Sequence, residues 1–230
     1  MKRRTLFPML VALVPCCLAV AGCANLEATF FQPKDSLALV DDLSDRIEEV
    51  HVASEVAKER MTAAVETLRS IVSPDFRGDG LSAHAELTRA IEQSEEQAEV
   101  FRERVADMKD TAKELFDRWA SDLEGFTNAE MRQHSQRRLE ETRTRYQAIV
   151  AAVDPAQWSY DAVNRSLGDH ALFLGHDFNR AAVASLRPGV DSLVAQGGEL
   201  ESRLVLGMTA AKEYLDHASP PGAVAAEPPK

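Results

Sequence analysis

Residues 87–119 read LTRAIEQSEEQAEVFRERVADMKDTAKELFDRW, and they decide the fold. Leu87, Ile91, Ser94, Ala98, Phe101, Val105, Met108, Ala112, Leu115 and Trp119 follow one another at alternating spacings of four and three. That alternation averages about 3.5 residues, the period that keeps one stripe of an α-helix turned towards a partner helix. The positions between them are mostly Glu, Arg, Lys, Asp and Gln, so the rest of the helix surface suits water. Such a helix buries its stripe only against neighbours of the same kind.

Those neighbours lie on both sides. Upstream, Ser36, Val40, Leu43, Ile47, Val50, Ser54, Ala57, Met61, Ala64, Leu68 and Ile71 keep the same alternation, with Asp35 placed to cap the start and Ser73-Pro74 to stop the run. Downstream, the second helix ends near Gly125, and Thr127-Asn128-Ala129-Glu130 has the form of a capping box opening a third. Its seam runs Leu139 (or Arg138), Thr142, Tyr146, Ile149, Val153, Ala156, Tyr160, Val163, Leu167, His170 and Leu174. Asp154-Pro155 falls inside this seam and predicts a kink or a restarted turn, with Asp154 as the cap and Pro155 at the first position. Phe178-Asn179 opens a fourth helix whose seam is Val183, Leu186, Val190, Leu193, Gly197, Leu200, Leu204, Gly207, Ala211 and Tyr214. Pro188-Gly189 and Gly197-Gly198 weaken it locally, and small residues on the stripes (Ser54, Ser94, Gly197, Gly207) predict local loosening of the core.

The fold expected from this is all-α: an elongated antiparallel coiled-coil-like bundle of about four long helices. Three short turns force antiparallel neighbours, and helices of about 40 residues reach about 60 Å. The turn at 125–128 then shares one end with both chain termini, while the turns at 74–81 and 175–179 meet at the other. The bundle domain is expected over residues 35–218, followed by a disordered Pro-rich tail at 219–230.

The N-terminus carries a different message. Lys2, Arg3 and Arg4 precede an apolar run from Leu6 to Val20 that is too short to span a bilayer. Val20-Ala21-Gly22-Cys23 then ends the segment as a bacterial lipoprotein signal ends. In that chemistry the cysteine thiol takes a diacylglycerol, a peptidase cuts before it, and the new amine accepts a further chain. Two or three acyl chains anchor stably where one is marginal. The expectation is a signal peptide at 1–22, lipidation at Cys23 and a tether at 23–34, with the protein held by its acyl chains in the cell envelope. Ala24 follows the cysteine rather than aspartate, which by analogy with enteric bacteria points to the outer membrane, facing the periplasm.

Charge and cysteine usage narrow the function classes. The whole chain has a formal charge of −11, and removing the three basic residues of the signal leaves 23 basic against 37 acidic, about −14. Such a surface repels nucleic acid and anionic lipid. Cys16, Cys17 and Cys23 are the only cysteines, so a lipidated mature chain has no thiol for a disulfide or a metal. No nucleophile elbow, phosphate loop, zinc helix motif or catalytic carboxylate pair occurs. The chain is therefore read as no enzyme, with no cofactor, no catalytic residue and no metal ligand to nominate.

Leu115-Phe116-Asp117-Arg118-Trp119, Asn128, the run Arg137 to Tyr146 and Leu172-Phe173-Leu174-Gly175-His176-Asp177-Phe178-Asn179-Arg180-Ala181 together resemble an uncharacterised bacterial family. It is catalogued as domain of unknown function 2959, and many of its members look like lipoproteins. The resemblance covers most of the mature chain. It implies the helical fold and the envelope location, and it brings no activity.

Two groups of residues are candidates for interaction. Arg77, His176, Asp177 and Asn179 lie in the turns at the far end, near Asp75, Asp79 and His84, where a partner, a small ligand, a metal or a cell-wall fragment could be met. Against this, Asp177 or Asn179 is ordinary helix-cap chemistry, His176 suits a helix end, and Arg77-Gly78-Asp79 suits a turn. Arg132, Arg137, Arg138, Arg143 and Arg145 form the one basic run of an acidic chain, though Glu140 and Glu141 interrupt it. His170 falls on an apolar seam, where a hydrogen-bonded histidine is the usual occupant. The function expected is structural or partner-binding, through a protein partner or self-association.

Overall fold

A computed structural model describes residues 36–218. The expected signal peptide, lipidation at Cys23, tether, Asp35 cap and Pro-rich tail fall at residues 1–35 and 219–230, outside the described residues. Within them are four α-helices and one short 3-10 turn: α1 (Ser36–Val72), α2 (Gly80–Asp122), the turn Leu123–Gly125, α3 (Ala129–His176) and α4 (Arg180–Ala218). None of these helices is long and apolar enough to cross a membrane.

The helices form an antiparallel square. α1 packs against α2 and α4, α3 packs against α2 and α4, and α1 meets α3 only thinly across the diagonal. Polar pairs fix the register. Arg102 bonds Asp161 and Lys109 bonds Asp154, each at 2.5 Å, so two heptad-spaced basic residues on α2 meet two heptad-spaced acids running the other way on α3. All four side chains are more than a third exposed, so these pairs select alignment more than they add stability. His51 lies 3.3 Å from the Met208 carbonyl, and Arg187 donates to the Val72 carbonyl at 2.9 Å, which sets α1 against α4.

Most of the stripe residues are the core. Leu43, Ile47, Leu68, Leu87, Phe101, Met108, Leu115, Ile149, Leu167, Leu193, Leu200 and Leu204 are all essentially inaccessible. Each large apolar side chain so buried contributes on the order of 1.5–3 kcal/mol. The stripes deviate at the ends. Leu39 rather than Val40 is buried in the first turns, and Ser36 instead donates to Asp122 at 2.5 Å. Phe116 joins Leu115 in the core while Trp119 is half-buried. Thr142, Tyr146 and His170 on α3, and Val183 and Leu186 on α4, are also only half-buried. A helix with about 3.6 residues per turn drifts against a strict heptad stripe, and single helix ends have fewer neighbours to cover them.

Three local expectations are corrected. α3 continues unbroken through Pro155, and Asp154 caps nothing: its carboxylate takes Lys109 and, at 3.2 Å, Gln157. Proline has no N–H, so the Ala151 carbonyl lacks its helical donor, at a residue that is exposed. Asn128, not Thr127, caps α3, accepting from Glu130 N at 2.9 Å and Met131 N at 3.1 Å.

The third concerns the small stripe residues, which tighten the core instead of loosening it. A Cβ at Gly207 would stand 3.0 Å from Val153, and one at Gly197 would stand 3.3 Å from the Met61 sulfur. These glycines let α4 approach α3 and α1. Ser54 returns its hydroxyl proton to the Val50 carbonyl at 2.7 Å, and Ser94 donates to Asn164 at 2.7 Å.

Candidate functional site

The two turns expected at one end do meet there. After α1, Phe76 N bonds the Ser73 carbonyl at 3.1 Å, and Arg77 folds back to donate to the carbonyls of Pro74 and Phe76 at 3.0 and 2.9 Å. Asp79 caps α2 by accepting from Ser82 N at 2.8 Å, and that backbone bond holds its carboxyl below the usual range. Opposite, α3 ends at His176, and Asn179 caps α4, accepting from Ala181 N at 2.9 Å and Ala182 N at 3.0 Å. The amide of Asn179 also donates to Asp177.

Apolar residues join the turns. The rings of Phe76 and Phe178 lie 6.2 Å apart at 53°, a tilted aromatic pair. Gly80 makes room for it, since a Cβ there would lie 2.8 Å from the Phe178 ring. Between the turns opens a cavity of about 460 Å³, walled by Phe76 and Phe178 together with Arg77, Asn179, Arg180 and Arg187.

Arg77 and Asn179 therefore share one cavity. His176 does not belong to it; with His84 it lines a separate groove between α2 and α3, where His84 lies 2.9 Å from the Ala171 carbonyl. Among the described residues no three His, Cys, Asp or Glu side chains gather as a metal site. Arg180 and Arg187 are the cavity residues that sequence reading missed. Their separation of seven residues, two helical turns, places both on one face of α4, and that spacing was the available signal.

The basic run of α3 is not one face. At about 100° per residue, Arg132 and Arg143 point one way, Arg138 and Arg145 another, and Arg137 a third. Arg143 lies over the Phe116 ring at 5.4 Å and donates to the Phe116 carbonyl at 3.2 Å. Arg138 pairs with Glu141 at 3.1 Å. Arg132 and Arg137 are exposed. On the seam, His170 lies 2.6 Å from the Ser166 carbonyl, and Gly189 gives it space.

The model of a family described as "Protein of unknown function (DUF2959)" matches residues 37–217, nearly the whole described bundle. No curated protein and no solved structure matches the chain.

Proposed function

The chain belongs to that family of unknown function, and on this premise we propose that it is a non-enzymatic cell-envelope protein that docks a partner at the far end of its bundle. Acyl chains on Cys23 anchor it, in the outer membrane and facing the periplasm. The observation that carries the reading is the cavity between the two turns. In a chain of net charge −11, three arginines, Arg77, Arg180 and Arg187, line it together with Phe76 and Phe178. Arg77 and Arg187 use some of their five N–H donors on backbone carbonyls and keep others for a guest. Carboxylate recognition over an aromatic floor suits an acidic, partly apolar segment of another protein. The cavity volume, within the range of about 300–1,000 Å³ usual for ligand sites, favours a small anionic ligand or cell-wall fragment as the second reading.

Photo-crosslinking in cells tests it, with the crosslinker at Arg77 or Arg180 and a control at Gly125 near the opposite end. A discrete adduct from the far positions alone is expected, and mass spectrometry identifies the partner. Equal labelling at all three positions, or none at the far end, refutes far-end docking.

A further inference from the structure

We propose that a small cavity at the opposite end of the bundle, beside Trp119, binds a phosphoryl oxyanion. The cavity measures about 100 Å³ and all four helices contribute to it: Val40 from α1, Trp119 from α2, Arg138, Thr142 and Arg145 from α3, and Tyr214 and His217 from α4. At about 30 Å³ per water this is room for about three waters, or for one compact tetrahedral group. It shares no residue with the far-end cavity and does not depend on docking there.

Its chemistry is that of an anion receptor. Tyr214 is only 2% exposed, and its hydroxyl is the one buried side-chain polar atom among the described residues without a hydrogen-bond partner. A buried hydroxyl left unpaired costs on the order of 1–3 kcal/mol, so a guest that accepts its proton regains that amount. Burial pushes the Tyr214 phenol up to about 12, opposed by the charge of Arg145, so the hydroxyl is a neutral donor at any physiological pH.

Arg145 is the second donor, and among the described residues it forms no ion pair, although acids outnumber bases 37 to 26 in this chain. Thr142, one helical turn before it, has no hydrogen bond for its hydroxyl among the described residues either. Of the other lining residues, Arg138 is shared with Glu141, and His217 turns Nδ1 to the Glu213 carbonyl at 2.8 Å, with no partner for Nε2 among the described residues. Among the described residues no carboxylate lines the cavity. Two hydroxyl donors and a fork-shaped guanidinium around a space of one tetrahedral group match phosphate oxygens. The phosphate could be free or part of a lipid headgroup; the recognising chemistry is the same.

Trp119 supplies the readout, because the only other tryptophan, Trp158, is 77% exposed and replaceable by Phe. Trp119 emission in the full chain carrying Trp158→Phe is followed while adding inorganic phosphate, or short-chain phosphatidic acid below its aggregation limit, at matched ionic strength against sodium chloride. A saturable change is expected with phosphate, absent with chloride. Arg145→Met should weaken it by about tenfold or more, and Tyr214→Phe by about fivefold. Tyr214→Phe removes only an unpaired hydroxyl, so it should fold and melt at least as high as the parent, which separates loss of binding from loss of structure.

Saturation by phosphatidic acid alone assigns the site to a headgroup; saturation by both assigns it to phosphate at large. No saturable response to either probe, or a response unchanged by both variants, overturns the proposal.

Discussion

Tyr160 on α3 reaches across the diagonal of the bundle and donates its hydroxyl proton to the carbonyl of Ala57 on α1 at 3.0 Å. Only a residue as small as Ala57 lets a ring come so close to a helix backbone. Ser94 on α2 stands 3.4 Å from the same hydroxyl and 2.7 Å from Asn164, so three helices meet in one buried polar knot. The knot lies among residues that are otherwise apolar, and none of its buried side-chain polar atoms is without a hydrogen-bond partner.

The members of this knot should differ in cost. Tyr160→Phe removes a donor and leaves the Ala57 carbonyl within its helix, so a loss of about 0.5–1.5 kcal/mol is expected. Ser94→Ala strands Asn164, which is only 6% exposed, and should cost about 1–3 kcal/mol. Urea denaturation of both single variants and the double gives the coupling; strict additivity would show that the knot is not a unit.

Two kinds of glycine should behave oppositely. A Cβ at Gly168 or Gly198 meets nothing within 4 Å, so alanine there should stabilise by about 0.5–1 kcal/mol through helix propensity alone. Gly207 faces Val153 at 3.0 Å, and Gly207→Leu should destabilise by about 1–3 kcal/mol through overpacking. Melting temperatures decide, and a rise for Gly207→Leu would contradict the close approach of α4 to α3.

The stripes were legible because burial follows periodicity: Leu87, Ile91, Ala98 and Phe101 occupy the core positions that their spacing dictates. What periodicity does not carry is the third dimension. The meeting of Phe76 with Phe178 depends on how two turns close, and no local pattern encodes it. Asp154 read as a cap because it precedes a proline, whereas its partner, Lys109, lies 45 residues away in the chain. Gly207 read as a weak point because only its propensity shows in the sequence; the facing Val153 that rewards its smallness belongs to another helix. The cavity beside Trp119 draws on all four helices, and its donors look like ordinary surface residues until they are brought together.

The continuity of α4 through Pro188 gives a further test. Pro188 is exposed and its ring leaves the Ala184 carbonyl without a helical donor. Pro188→Ala restores the bond, against an entropic loss of about 0.4–1 kcal/mol from the looser unfolded chain. A net gain of about 1–2 kcal/mol is expected by denaturant titration, since interior proline costs about 3 kcal/mol in an unrestrained helix. An unchanged midpoint would mean that α4 has adapted fully around the ring.

A pH dependence should come from tyrosine. Tyr146, Tyr160 and Tyr214 are the only tyrosines, and burial pushes all three up from 10.0 to about 12. Asp154 adds to the rise at Tyr146, while the Ser94 hydrogen bond and the charge of Arg60 oppose it at Tyr160. Below about pH 10 both folded and unfolded chains hold these protons, so this contribution to stability is fully present. Between about pH 10 and 12 the unfolded chain releases them first and therefore binds fewer protons than the folded one. Stability then falls as pH rises, by up to about 1.4 kcal/mol per pH unit for each fully buried tyrosine. Urea midpoints at about pH 9 and about pH 11 should differ accordingly, and Tyr160→Phe and Tyr214→Phe should each flatten the slope. Phenolate absorbance of the native protein gives the direct check, and a full rise centred near pH 10 would show that the three phenols are not held as the bundle holds them here.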